Sequence, residues 1–246
     1  MTSAASPQPP SNGNDYLLET FNRHYTFIQD RAYPLLNTAT LCLLHVLKRR
    51  HYHQVLDMGC GQGGVGLGLL FHHRAHRLVF LDHQLEFLSM VRLNLLHNGL
   101  CDQAGIIRAD LLSADRLFTP HCFDLVCLNP PFYPPGQGKS PRDPFRRRSF
   151  IAPQADFLSR TCRAVLPILR PKSYFYLIYP VAFLAQSIYI LENSSLRPTN
   201  LVFFCQNETR QPRYVVIESR PYVRSPLGVE FLTPADLSIK ESHDVR

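Results

Sequence analysis

Two short stretches of the chain hold residue types from which chemistry could be built. The first is Asn129-Pro130-Pro131-Phe132. Two consecutive prolines cannot continue a strand or donate to a ladder, so they make a rigid turn. Such a turn presents the Asn129 side-chain oxygen and the Pro130 carbonyl as two acceptors, with the flat ring of Phe132 beside them. Two acceptors and a stacking face suit a planar base or amide that carries an exocyclic NH2. The second stretch is Asp57-Met58-Gly59-Cys60-Gly61-Gln62-Gly63, a glycine-rich turn between an apolar strand and the apolar run Val65–Leu70. Strand, glycine turn and helix in that order bring backbone amides and a helix N-terminus to one point, which predicts affinity for an anionic or strongly polar group. The spacing differs from the Gly-x-Gly-x-x-Gly of a dinucleotide site.

The elements that must position these residues can be read from the pattern. Tyr33–Arg50 is predicted helical, with Lys48, Arg49 and Arg50 near its negative pole. Strands are predicted near Val55–Leu56, Leu78–Leu81, Gly105–Arg108, Phe123–Leu128 and Tyr174–Tyr179. Helices are predicted from Val65, over Leu85–Leu95, from Pro153 to about Leu169, and over Ala182–Asn193. Leu201–Phe204 and Tyr214–Ile217 are joined too closely for a crossover helix, so they pair antiparallel. Strand and helix alternate five times before this hairpin. That order predicts an α/β fold with a doubly wound, mostly parallel seven-stranded sheet and a C-terminal antiparallel hairpin. Both chemical stretches then fall at carboxyl ends of strands, where open α/β sheets bind ligands. Asp82, some 20 residues past the glycines, stands where a nucleotide-binding half places a carboxylate for ribose hydroxyls; it also suits an N-cap of the helix that follows.

Of the 246 residues, 45% are hydrophobic and 18% charged, enough for one sizeable core. Residues 1–14 are rich in Ser, Pro, Asn and Gly and read as a disordered tail; 15–224 read as one domain, and 225–246 as a loosely held C-terminal tail. Tyr16–Arg31 shows no clear period. Seven cysteines, none in Cys-x-x-Cys spacing, read as reduced residues of a cytoplasmic protein. No apolar run reaches the length of a membrane span, and no basic-then-apolar leader opens the chain. His72, His73 and His76 lack a carboxylate or cysteine at ligand spacing and read as a solvated helix end, so no metal is expected.

Asp57-x-Gly59-x-Gly61-x-Gly63 resembles the first motif of the class I S-adenosylmethionine-dependent methyltransferases. The resemblance implies S-adenosyl-L-methionine as cofactor, with Asp57 near the amino-acid end, where an ammonium sits beside a carboxylate. It also implies that Asp110, after the third strand, reaches the adenine amine of the cofactor, although Asp110 equally suits a cap of the next turn. The Asn-Pro-Pro-aromatic signature is shared by N6-adenine methyltransferases of DNA and RNA and by enzymes that methylate a glutamine amide of release factors. The longer stretch from Asn129 through Ser140-Pro141-Arg142 to Arg148 is similar to the bacterial tRNA (adenine-N6)-methyltransferases that act beside the anticodon of a valine tRNA. Asn37-Thr38-Ala39-Thr40 is similar to that family's segment lining the cofactor pocket. Two departures stand out: the upstream segment lacks an acid, and the basic loop ends Arg-Arg-Arg-Ser-Phe.

On this basis Asn129, Pro130 and Phe132 are the candidate catalytic residues. Asp57, Gly59, Gly61, Gly63, Asp82 and Asp110 are the candidate cofactor ligands. Lys139, Arg142, Arg146, Arg147 and Arg148 put five cations within ten residues, against the one acid Asp143. Together with Tyr133, Arg210 and Arg213 they form a candidate track for phosphates of a nucleic acid. A net charge of +7 agrees with a polyanionic partner. An anticodon-loop base is largely accessible, whereas a base within a duplex must be flipped. The expected activity is therefore N6-adenine methylation of tRNA. The same chemistry on ribosomal RNA, DNA or a protein glutamine is the alternative, and a catalytically silent RNA-binding module is a reading of another class. Nothing in the sequence sets the oligomeric state.

Overall fold

A computed structural model describes residues 16–21, 24–132, 154–205, 211–223 and 225–237. The central sheet has eight strands: β3 (Tyr52–Met58), β4 (Ala75–Asp82), β5 (Ala104–Arg108), β6 (Phe123–Leu128), β7 (Leu169–Pro180), β8 (Leu196–Phe204), β9 (Tyr214–Pro221) and β10 (Gly228–Leu232). Their spatial order is β10-β8-β9-β7-β6-β3-β4-β5. From β7 to β5 all neighbours are parallel, while β9 runs antiparallel to both β7 and β8. The expected hairpin is therefore β8–β9. The eighth strand, β10, lies parallel to β8 at the edge, in a region that the sequence leads one to expect as a loosely held tail. Leu232 is buried there and Glu230 is anchored by Arg49 at 2.6 Å. Val229, Glu230 and Phe231 are exposed, so Leu232 is the one fully buried residue of this short strand.

Six helices among the described residues flank the sheet: α1 (Thr38–Leu47), α2 (Gly64–Phe71), α3 (Leu85–His97), α4 (Ala114–Leu117), α5 (Phe157–Val165) and α6 (Leu184–Asn193). Helix α1 begins at Thr38 rather than Tyr33, because the Asn37 side chain caps it by accepting from the Thr40 amide at 3.0 Å. Helix α5 begins at Phe157; Pro153, the expected start, lies outside the described residues, as does the expected disordered tail 1–14. Helix α2 is buried from Val65 to Phe71. Its glycines allow close approach on two sides: a Cβ at Gly66 would stand 2.4 Å from Phe80, and one at Gly68 would stand 2.4 Å from Leu44.

A separate antiparallel hairpin, β1 (Tyr16–Phe21) with β2 (Tyr25–Asp30), was not visible in the sequence pattern. Three side-chain amides replace the neighbour strand that β2 lacks on its other edge. The Asn98 oxygen accepts from the Thr26 amide at 2.9 Å and its nitrogen donates to the Thr26 carbonyl at 2.8 Å. Asn94 does the same for Ile28, at 2.7 and 2.8 Å, and Gln62 for Asp30, at 2.7 and 3.3 Å. Residues 26, 28 and 30 are alternate positions of a strand, so their main-chain groups face one side. Asn94 and Asn98 are four apart on α3 and share a face. The third rung, Gln62, comes from the glycine turn itself, so the hairpin is tied directly to the turn.

Candidate active site

Strands β3 and β6 are neighbours in register, with Asp57 opposite Cys127 and Met58 opposite Leu128. The chain winds outward from β3 through β4 to β5, then returns to the other side of β3 for β6. Their carboxyl ends are thus the switch point of the sheet, where a crevice forms because the connections on either side lead away from each other. A cavity of about 580 Å³ opens there. Asp57, Gly59, Gly61, Asp82, Asp110, Asn129, Pro130 and Phe132 all line it. Gly63 does not: it stands behind the wall as the N-cap of α2, at φ +89°, against Leu67 and Val91.

The turn after β3 is braced from within. Gly59 and Cys60 both donate to the Leu81 carbonyl, at 2.7 and 3.1 Å, and Gly63 donates to the Cys60 carbonyl at 2.9 Å. Gly61 donates to the Asp82 carboxylate at 3.0 Å. The expectation of bare amides waiting for an anion is therefore corrected for these four, which are already bonded. The turn holds its shape through left-handed φ angles at Gly59, Gly61 and Gly63.

What the wall offers instead is acceptors. Asp57 is buried; one of its oxygens accepts from the Gly66 amide at 2.8 Å, and the other lies 3.8 Å from the Cys127 thiol. Burial pushes its carboxyl up to about 7, the nearby Asp82 adding to the rise. Asp82 accepts from Gly61 with one oxygen and from the Gln84 amide, at 3.0 Å, with the other. It is thus a brace of the turn as well as a lining residue. Asp110 is exposed and caps the following turn by accepting from the Leu112 amide at 2.9 Å. Gln84, which sequence reasoning missed, is buried in the wall with its side-chain oxygen lacking a hydrogen-bond partner among the described residues. A buried acceptor without a donor costs about 1–3 kcal/mol. No pattern in the sequence sets this glutamine apart.

On the opposite rim, Asn129 is half-buried and its amide nitrogen donates to the Thr40 hydroxyl at 3.2 Å. The Thr40 hydroxyl donates in turn to the Asn37 side-chain oxygen at 3.3 Å. No described residue donates to the Asn129 side-chain oxygen or to the Pro130 carbonyl. Phe132 is less free than its sequence context suggests. It is buried, with ring centroids 6.0 Å from Tyr179 and 5.6 Å from Tyr214, so the ring serves as cavity wall as much as a stacking face. The Arg213 guanidinium lies 5.2 Å from the centre of the Tyr214 ring, which keeps this cation near the rim through an aromatic neighbour of Phe132. Tyr133, Lys139, Arg142, Arg146, Arg147, Arg148 and Arg210 lie outside the described residues. Among the described residues no three His, Cys, Asp or Glu side chains gather as a metal site, and no helix is long and apolar enough to cross a membrane.

Residues 32–158 match the family described as the methyltransferase small domain, a segment that runs from before α1 to the start of α5 and includes every lining residue named above. Two curated relatives also match part of the chain. The ribosomal RNA large subunit methyltransferase G of Psychromonas ingrahamii is 28% identical over 91 residues, which is 37% of this chain and 24% of that protein. The release factor glutamine methyltransferase of Clostridium botulinum is 26% identical over 90 residues, 37% of this chain and 31% of that protein. The aligned part thus spans about a quarter to a third of these relatives' length. Among solved structures, a tRNA methyltransferase from M. jannaschii superposes with a TM-score of 0.59 at 12% identity, over 87% of this chain and 59% of that one, a likeness of fold.

Proposed function

Because this chain belongs to the methyltransferase small domain family, we propose that it transfers a methyl group from S-adenosyl-L-methionine to the N6 amine of an adenosine in tRNA, beside the anticodon. The cavity wall supports that donor. Its carboxylates suit a molecule rich in donors and carrying a cation: an ammonium, two ribose hydroxyls and an adenine amine. They oppose a pyrophosphate, since Asp57, Asp82 and Asp110 repel it and four of the turn's amides are spent. In this reading Asp57 takes the ammonium end, Asp82 and Gln84 the ribose, and Asp110 the adenine edge, while Gly59 and Gly61 shape the turn that lets the molecule lie close. When bound, the cofactor supplies an electrophilic methyl on a sulfonium.

The chain's own work is to present the nucleophile. An aryl amine is a poor nucleophile because its lone pair is delocalised. Hydrogen bonds from its two hydrogens to the Asn129 side-chain oxygen and the Pro130 carbonyl draw electron density toward nitrogen and fix its direction. Orientation and electrostatic support then lower the barrier without a strong base. Phe132 backs the plane of the base. The single observation that carries the proposal is the juxtaposition of the Asp57–Gly61 turn and the Asn129–Pro130 turn across one cavity, at the ends of paired strands. Arg213 and the cations of residues 139–148 supply contacts to phosphates. The free cysteines agree with action in the reducing cytoplasm.

The test is transfer of a tritiated methyl group to total tRNA and to ribosomal RNA, followed by nucleoside analysis. Label in N6-methyladenosine from tRNA is the expected result. The names of the two relatives favour one second reading, in which the same cavity serves ribosomal RNA or a release-factor glutamine. Label confined to either of these, with tRNA unlabelled, would replace the tRNA assignment.

A further inference from the structure

The Asn129 amide can perform its proposed role in only one of its two orientations. Oxygen toward the cavity accepts from the target amine; nitrogen toward the cavity would meet that amine donor to donor. Rotating the side chain by half a turn exchanges the two, and shape alone barely distinguishes them. Something must break the tie, and the structure holds a group placed to do so. The Asn37 side-chain oxygen can only accept, and it receives both the Thr40 amide, at 3.0 Å, and the Thr40 hydroxyl, at 3.3 Å. The single proton of that hydroxyl is thereby committed, and only its lone pairs face Asn129. A lone pair requires a donor, so the Asn129 nitrogen turns toward Thr40, at 3.2 Å, and the oxygen is left for the cavity.

We infer that Thr40 and Asn37 are positioning residues for the transfer reaction: they form a directed hydrogen-bond relay from the cap of α1 that fixes which end of the Asn129 amide meets the target amine. The inference rests on the reading of Asn129 as the residue that holds that amine. Thr40 lies 89 residues from Asn129 in the chain and touches no reacting atom in this account; it acts through Asn129. Its methyl group has a separate packing role, since a Cβ at Gly64 would stand 3.1 Å from it.

Thr40→Val keeps the shape and removes the hydroxyl. Losing one orienting hydrogen bond should lower kcat about tenfold, with cofactor affinity by calorimetry and the KM for RNA changed less than twofold. Thr40→Ser restores the hydroxyl and should recover most of the rate despite losing the methyl. Asn37→Ala frees the hydroxyl to donate to the Asn129 oxygen and should lower kcat in the same manner as Thr40→Val. Side-chain amide signals of a sample labelled with 15N-asparagine should show the Asn129 NH2 protected from exchange in the wild type and in Thr40→Ser, and exposed in Thr40→Val. Wild-type kcat in Thr40→Val, or equal losses of kcat and cofactor affinity that Thr40→Ser does not repair, would overturn the relay. Either result leaves the reading of Asn129 standing, because that reading fails separately: through an Asn129→Ala variant that still transfers methyl.

Discussion

The two rims of the cavity are built by opposite means. The turn after β3 is self-supporting: four of its amides bond to Leu81, Cys60 and Asp82, and all of these sit on the turn or on the adjacent strand. The turn after β6 contains two prolines, which donate nothing, and its one polar side chain is held from another element through Thr40. The first rim is preformed, and its shape does not depend on a bound molecule. The second is rigid in backbone but depends on a distant hydroxyl for the direction of its functional group. In a transfer enzyme this division is useful, since the donor side can bind before the acceptor side is engaged. It follows that damage to the rims should separate kinetically.

The largest effect is expected at Asn129. Asn129→Ala removes an acceptor from the second rim and nothing from the first, so turnover should fall about 10²–10³-fold while calorimetric affinity for S-adenosyl-L-methionine stays within twofold. Equal losses in both measurements would show that the rims are not independent. Next comes Asn94→Ala, which attacks the support of the first rim from behind. It strands the buried amide and carbonyl of Ile28 and should lower unfolding stability by about 3 kcal/mol. Because Gln62 joins the same ladder to the glycine turn, cofactor affinity should weaken as well, while kcat at saturating cofactor stays near normal. Gly66→Ala should cost about 2 kcal/mol, since the new methyl meets Phe80 at 2.4 Å and the Asp57 carboxylate at 2.9 Å. Its effect on the reaction should again appear in cofactor affinity rather than in kcat. Chemical denaturation and calorimetry on each variant check both.

How much of this was open to sequence reading differs between the same two rims and their supports. Strands β3, β4, β6 and β7 end in buried, mostly apolar runs, and the motifs sit at the ends of β3 and β6, so the sheet and most lining residues were legible. The hairpin β1–β2 was not. Its order comes from Asn94, Asn98 and Gln62, residues far away in the chain whose types suggest surface or cap positions rather than a surrogate strand. The bare-amide expectation failed at Gly59, Cys60, Gly61 and Gly63 for a related reason. Spacing shows that a turn exists, but not that Leu81 and Asp82 on the neighbouring strand already take its donors. Thr40 could be noticed only as part of a segment near the pocket, since its partner Asn129 is fixed by tertiary packing. The edge strand β10 escaped because it is short and its apolar residues fall on both faces, with Val229 and Phe231 exposed and Leu232 buried.

The smallest expected effect concerns Asp57, and it tests whether the first rim is preformed in charge as well as in shape. An aspartate in an unfolded chain titrates near 3.9, whereas burial pushes Asp57 up to about 7. Between roughly pH 4 and pH 7 the folded protein therefore holds a proton that the unfolded chain has lost. The sign follows: Asp57 contributes stability that is fully present below pH 4 and is lost as the pH rises through about 7. Asp57→Asn removes that contribution, so the difference in unfolding free energy between variant and wild type should shift in favour of the variant as pH rises across this window. Cofactor binding has the opposite slope. An ammonium favours the carboxylate, so binding should tighten about tenfold from pH 6 to pH 8 and release one proton or less per molecule bound at pH 6. In Asp57→Asn the slope should vanish and the affinity should stay at the weak, acid-side value. A pH-independent affinity in the wild type would mean that Asp57 is already ionised in the free protein, with its charge balanced inside the fold. The first rim would then be complete in charge before any cofactor arrives, and the contrast with the second rim would be sharper still.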